Sequence, residues 1–298
     1  SSGPVYPVRR SIPGGLQGGQ VKHREMQLPG CQDATLFAQA WLPEREPRAV
    51  VIVSHGLAEH GGRYQSMATR LVGRGYAVYV IDHRSHGRSS GQRANIERFS
   101  YLVSDFGAFA GRAQRQHPDA ATFVLGHSMG GAVALACMLR NPGSLKGLVL
   151  SAPALAAGQA APPLKTMAAR LLSRYSPNTG ALTLPAAAIS RDPAVVRAYE
   201  TDPLVHRGAV PARTLVELLD AMQQFPDAAP KLRVPVLVQH GTADSLVPLA
   251  ATRPVYERLA SPKLRTIRIY ERLYHELYNE PEREQVFGDL EAWLESHL

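Results

Sequence analysis

The pentapeptide Gly126-His127-Ser128-Met129-Gly130 has the G-x-S-x-G spacing of a serine nucleophile carried on a sharp turn. Its flanks make the signal specific. The apolar run TFVL (122–125) precedes it and MGGAVALACML (129–139) follows, so the serine falls between a buried strand and a helix. A tight turn leaves little room for side chains at positions 126 and 130, and Gly131 lets the helix approach the sheet. Ser128 would then hold its hydroxyl out of the sheet, at the positive end of a helix.

A serine hydroxyl is a weak nucleophile until a base takes its proton. That base is expected to be a histidine after a late strand, oriented by a carboxylate on the loop before it. His275 follows RTIRIY within ERLYHELYNE, and Asp244 follows VPVLVQH within GTADSLVP. Other candidates are less well placed. His297 belongs to the last helix, and His240 ends a strand ahead of the acid loop. Asp220 and Asp227 precede strand 234–240, and Glu271 shares a loop with His275. A tetrahedral oxyanion needs two backbone N–H donors. Met129 supplies one, and Leu57, just past the tight turn His55-Gly56, supplies the other.

These residues need a scaffold, and the chain reads as one. Apolar runs at 49–54, 76–82, 122–125, 147–151, 234–240 and 265–270 lack polar alternation, as strands covered by helices on both faces do. Helical periodicity covers 99–116, 129–140 and 283–297, and the strands alternate with helices, which predicts an α/β fold with a mostly parallel sheet. Residues 21–28 and 35–41 read as an antiparallel hairpin at its edge. From 153 to 231 the alternation stops. Leu164, Met167, Ala168, Leu171, Leu172 and Tyr175 recur at the spacing of one helix face, as do Leu215, Leu218, Leu219, Met222 and Phe225. The expected organisation is a tail over 1–20, a core over 21–152 and 232–298, and a helical cap over 153–231.

Composition narrows the function classes. With 298 residues, 45% of them hydrophobic, one large core and an insertion can be buried. Two cysteines, Cys31 and Cys137, make neither a disulfide framework nor a zinc site. The formal net charge of +8 comes from dispersed residues without a nucleic-acid motif. It reads as a solvated basic surface, or as attraction to an anionic membrane surface. No apolar run approaches the ~20 residues of a membrane span, and the first twenty residues lack the apolar core of a secretory signal. The expected location is cytoplasmic, with peripheral membrane association as the further option.

Taken together, HGLAEHGGRY (55–64), DHRSHGRSSG (82–91), GHSMGG (126–131), SAPAL (151–155), HGTADSLVP (240–248) and YHELYNEP (274–281) resemble the monoacylglycerol lipases and lysophospholipases of the α/β-hydrolase superfamily. The resemblance spans nearly everything after residue 20. It implies an acyl-enzyme on Ser128, deacylated by water that His275 activates, with no metal or organic cofactor. It implies a lid over a channel for one acyl chain, lined in part by the two cap stripes. It also implies that Glu59 and Arg63 organise the glycerol end of the pocket; the plainer alternative is that they pair as a loop brace. One departure stands out: Ser85 replaces the first glycine of D-H-R-G-H-G-R-S, and a left-handed backbone there would cost about 1 kcal/mol. Monoacylglycerol is the expected substrate; a lysophospholipase or broad carboxylesterase would carry the same triad, and a prolyl aminopeptidase is possible on the fold. Ser128 argues against a haloalkane dehalogenase, whose nucleophile is a carboxylate. Retention of all three triad residues argues against a non-catalytic lipid-binding relative.

Overall fold

The computed structural model describes residues 8–11, 21–141, 143, 145–157 and 163–298. The first seven strands are β1 (Val8–Ser11), β2 (Lys22–Pro29), β3 (Thr35–Leu42), β4 (Ala49–Ser54), β5 (Tyr76–Ile81), β6 (Ala121–His127) and β7 (Gly147–Ser151). Helices α1 (Gln65–Gly73), α2 (Phe99–Gln116) and α3 (Met129–Arg140) connect the later ones. Four residues of the expected tail thus form an edge strand, Val8 pairing opposite Glu25 of β2. The rest of 1–20 lies outside the described residues.

After β7 the chain leaves the sheet and builds α4 (Pro163–Tyr175), β8 (Gly180–Leu182), α5 (Pro193–Thr201), β9 (Val210–Pro211) and α6 (Ala212–Ala228). It returns as β10 (Val236–Gly241), α7 (Leu249–Tyr256), β11 (Arg265–Tyr270) and α8 (Arg283–Glu295). Among the described residues the main sheet has nine strands in the order β1-β2-β3-β5-β4-β6-β7-β10-β11, while β8 and β9 pair on their own. From β5 to β11 every pairing is parallel; β1, β2 and β3 join antiparallel. Every residue of β4, β5, β7 and β10 is buried. Side chains alternate between the two faces, so Val50 and Ile52 join a core with α2 and α3, whereas Val51 and Val53 join one with α1 and α8.

The two apolar stripes of the inserted segment have different fates. On α6, Leu218 and Phe225 are buried in the main core. On α4, Met167 and Leu171 are about half exposed, at 54% and 52%, with Tyr175 more so, and this corrects the expectation that both stripes line a channel. The reason is local. Helix α4 packs on α6, with its small buried residues Ala169 and Ser173 one turn apart. Arg213 donates to the Ser173 carbonyl and Arg170 pairs with Asp220. The apolar stripe therefore points away. The side chain of Leu164 lies outside the described residues. Among those described, no helix is long and apolar enough to cross a membrane.

Candidate active site

Ser128 stands between β6 and α3 at φ 52° and ψ −123°, a conformation that costs a non-glycine residue on the order of 1–3 kcal/mol. The glycines around it make the turn possible. A Cβ on Gly126 would lie 2.5 Å from the Gly130 carbonyl oxygen, and one on Gly130 would lie 2.1 Å from that of Ser54. The turn is tied to the end of β7: Ser128 N donates to the Ser151 carbonyl at 3.0 Å, and the Ser128 carbonyl accepts from Ala154 N at 3.0 Å.

The loop after β4 lies against this turn, since a Cβ on Gly56 would sit 3.3 Å from that of Ser128. Leu57, Ser128 and Met129 line one cavity. The buried His55 ring fixes the loop's entry, its Nδ1 on the Gly56 carbonyl at 2.7 Å and its Nε2 accepting His83 N–H at 2.9 Å.

His275 lines the same cavity, and its Nδ1 lies 2.7 Å from Asp244 Oδ2. Nδ1 donates in that contact, which leaves Nε2 free to accept a proton. The other carboxylate oxygen, Asp244 Oδ1, accepts the N–H groups of Leu246 and Val247, both at 2.9 Å. Burial works against ionisation of Asp244. The charge of His275 and the donors from His240, His275 and Val247 outweigh it, and the carboxyl is held well below the usual carboxylate range. His240, set aside on sequence as a base, is thus a second partner of the acid. Its Nε2 lies 3.2 Å from Asp244 Oδ2 and 2.8 Å from the Val247 carbonyl, while Tyr256 O–H reaches its Nδ1 at 2.7 Å. The His127 ring sits 4.7 Å from that of His275; burial, then the neighbouring His275 charge, push its pKa down to about 4.

Glu59 also lines the cavity, but its oxygens are engaged with the protein. Oε1 accepts Gly56 N–H at 2.6 Å and Tyr64 O–H at 2.9 Å, and Oε2 accepts from Arg63 at 2.9 Å. Burial would raise its pKa; Arg63, His127 and these donors outweigh it and hold the carboxyl below its ordinary value. Arg63 itself is not among the residues lining this cavity; it bridges Glu59 and Glu276, the loop brace that was the plainer alternative. Both of its terminal nitrogens donate to Glu276, at 2.5 and 2.7 Å, and its guanidinium stacks over Tyr199. Sequence reasoning missed Glu276, although it adjoins His275 within the YHELYNEP motif.

The cavity encloses about 770 Å³ of empty space, open mouth included. Leu215, Leu218, Leu219 and Met222 of α6 form an apolar wall, and Glu59, Glu276 and Tyr199 lie at the polar end. Ser85 sits at φ 64°, the left-handed backbone that the missing glycine would have suited. Among the described residues no set of three histidine, cysteine or acidic side chains converges as a metal site would.

Comparison with known proteins places the chain in a family. A family model described as "Serine aminopeptidase, S33" matches residues 45–282. The chain is 40% identical to a monoacylglycerol lipase of Mycolicibacterium smegmatis, over 92% of this chain and 98% of that protein. It is 36% identical to the human monoglyceride lipase, covering 87% and 86% of the two chains. The crystal structure of a Paleococcus ferrophilus monoacylglycerol lipase superposes with a TM-score of 0.77 at 30% identity, over 88% of this chain and 99% of that one. With an elbow serine, a buried histidine–aspartate pair and this breadth of similarity, the chain belongs to the monoacylglycerol lipase family of α/β-hydrolases.

Proposed function

We propose that the protein hydrolyses monoacylglycerols to fatty acid and glycerol, with Ser128, His275 and Asp244 as its catalytic residues. Ser128 Oγ attacks the ester carbonyl carbon as His275 Nε2 takes its proton. The oxyanion forms against the N–H groups of Leu57 and Met129. His275 then returns the proton to the departing glycerol oxygen, and the acyl-enzyme remains. A water, deprotonated by the same nitrogen, releases the fatty acid and restores Ser128. Asp244 keeps the proton on His275 Nδ1 and stabilises the imidazolium of each transition state. The observation that carries this reading is a single cavity holding Ser128 and His275 between an apolar α6 wall and a carboxylate end. In it the acyl chain lies along α6 and the glycerol faces Glu59.

In this reading residues 153–231 act as a lid. The exposed α4 side chains Met167, Leu171 and Tyr175, with Arg170 and Arg174 on the same helix, would rest on the lipid surface that supplies the substrate. This reading gives the protein peripheral association with a membrane surface. The test is a fluorophosphonate label on wild type and Ser128→Ala, with turnover of 1-palmitoylglycerol by both and by His275→Ala. Labelling is expected at Ser128 alone, with kcat lower by roughly 10³-fold or more in each variant. Near-full activity of folded His275→Ala refutes the assignment of the base.

A further inference from the structure

The polar end of the Ser128 cavity carries an unbalanced charge. Glu59 and Glu276 both line it, and among the described residues no lysine or arginine does. Arg63, which bridges them, has both terminal nitrogens already held by carboxylates. Two carboxylates against one guanidinium leave one negative charge over. The buried His127 in the lining does not cancel it, since its pKa is pushed down to about 4. Arginine is the side chain that most readily forks onto a phosphate, yet this one presents no free arm to the cavity. Asn279, which lines the adjoining pocket and not this cavity, donates to Glu276 Oε2 at 2.8 Å.

We infer that Glu276 is a specificity-determining residue: with Glu59 it makes the headgroup end of the site anionic, so that esters of neutral alcohols enter and esters of phosphate-bearing glycerols are turned away. The inference rests on the esterase reading above and sharpens it. A phosphodiester one bond beyond the glycerol would sit within several ångströms of both carboxylates, in a partly water-excluded space where like charges repel strongly. Uncharged glycerol meets no such barrier.

The experiment compares kcat/KM for 1-palmitoylglycerol and 1-palmitoyl lysophosphatidylglycerol, each dilute in micelles of a neutral detergent, with p-nitrophenyl palmitate alongside. Wild type is expected to favour the neutral lipid by roughly 100-fold or more. Glu276→Gln keeps an oxygen for Arg63 and removes the surplus charge, so the preference should fall about 10-fold. A second variant guards against a loosened loop. Ser66 is exposed and lines the adjoining pocket that Glu276 and Arg63 also reach. Ser66→Arg adds a cation there without disturbing the brace, and it should lower the preference in the same direction. Comparable rates on both lipids in wild type overturn the inference. So does an unaltered preference in both variants at wild-type melting temperature. Loss of 1-palmitoylglycerol turnover with p-nitrophenyl palmitate turnover intact is a different result, and it overturns the proposed substrate instead.

Discussion

Replacing Glu59 by alanine separates a residue that holds the loop from one that holds the substrate. The carboxylate accepts Gly56 N–H and Tyr64 O–H on one oxygen and Arg63 on the other, and Gly56 adjoins the proposed oxyanion donor Leu57. Truncation strands two donors, each worth about 1–3 kcal/mol when left without a partner. Arg63 still has Glu276, so its charge remains compensated. The expected destabilisation is about 3 kcal/mol, read as a melting decrease of roughly 5–10 °C by circular dichroism. The functional loss should be larger. Loss of one oxyanion donor lowers kcat by about 10²–10³-fold, and a freed Leu57 loop approaches that limit. Since every ester develops the oxyanion, p-nitrophenyl ester and monoacylglycerol should both lose about 10²-fold. Arg63 is the one protein donor to Oε2 among the described residues, so a glycerol hydroxyl bonded there would add a further ~10-fold loss on monoacylglycerol alone. The assay is kcat/KM on both substrates of equal acyl length at a temperature where the variant is folded. A p-nitrophenyl ester rate within threefold of wild type would refute the brace-to-oxyanion reasoning.

Three further outcomes follow from other parts of the structure. Leu218→Trp, on the α6 wall, should depress long-chain turnover several-fold more than short-chain turnover, whereas Leu171→Trp on the outward face of α4 should leave the chain-length profile alone; equal profiles for both variants would remove α6 from the acyl site. Ser85→Gly should stabilise the fold by about 1 kcal/mol, because glycine relieves the left-handed backbone at that position, and an unchanged or lower melting temperature contradicts this. Burial holds His55 and His83 neutral, with pKa values well below the ordinary one, and pushes His86 and His127 down to about 4. Unfolding frees all four to bind protons below about pH 6.5. Their contribution is complete above that pH and is lost as the pH falls toward 4, by up to about 1.4 kcal/mol per imidazole per pH unit. Melting should drop steeply between pH 6.5 and 4.5, and a flat profile would contradict the neutral assignment.

The sheet was readable because its strands are buried on both faces, which leaves unbroken apolar runs such as 49–54 and 76–81. The elbow was readable for a steric reason: at 126 and 130 any side chain meets backbone, so glycine marks the turn. Contacts between distant segments were not. Arg63 and Glu276 are 213 residues apart, and no local pattern couples them. His240 faces Asp244 only because the chain turns back within four residues after β10, bringing a strand end beside the loop it leads into. Periodicity located an apolar face on α4 but carried no information on what lies opposite. Helix α6 met small residues of α4, and the large ones were left outside. The edge strand β1 has four residues, two of them arginine, and so gave no apolar run to find.

The two carboxylates at the polar end also bear on what happens after the chemistry. The substrate arrives uncharged and its acyl part leaves as an anion, generated in the cavity that Glu59 and Glu276 line, with no lysine or arginine among the described lining residues to receive it. Repulsion raises the free energy of the enzyme–product complex relative to the enzyme–substrate complex, by an amount that the same Coulomb interaction sets. Free fatty acid should then be a weak competitive inhibitor even as it accumulates. The back reaction, esterification of glycerol, starts from the anion the site disfavours. The charge that hydrolysis creates favours release of the product from this cavity.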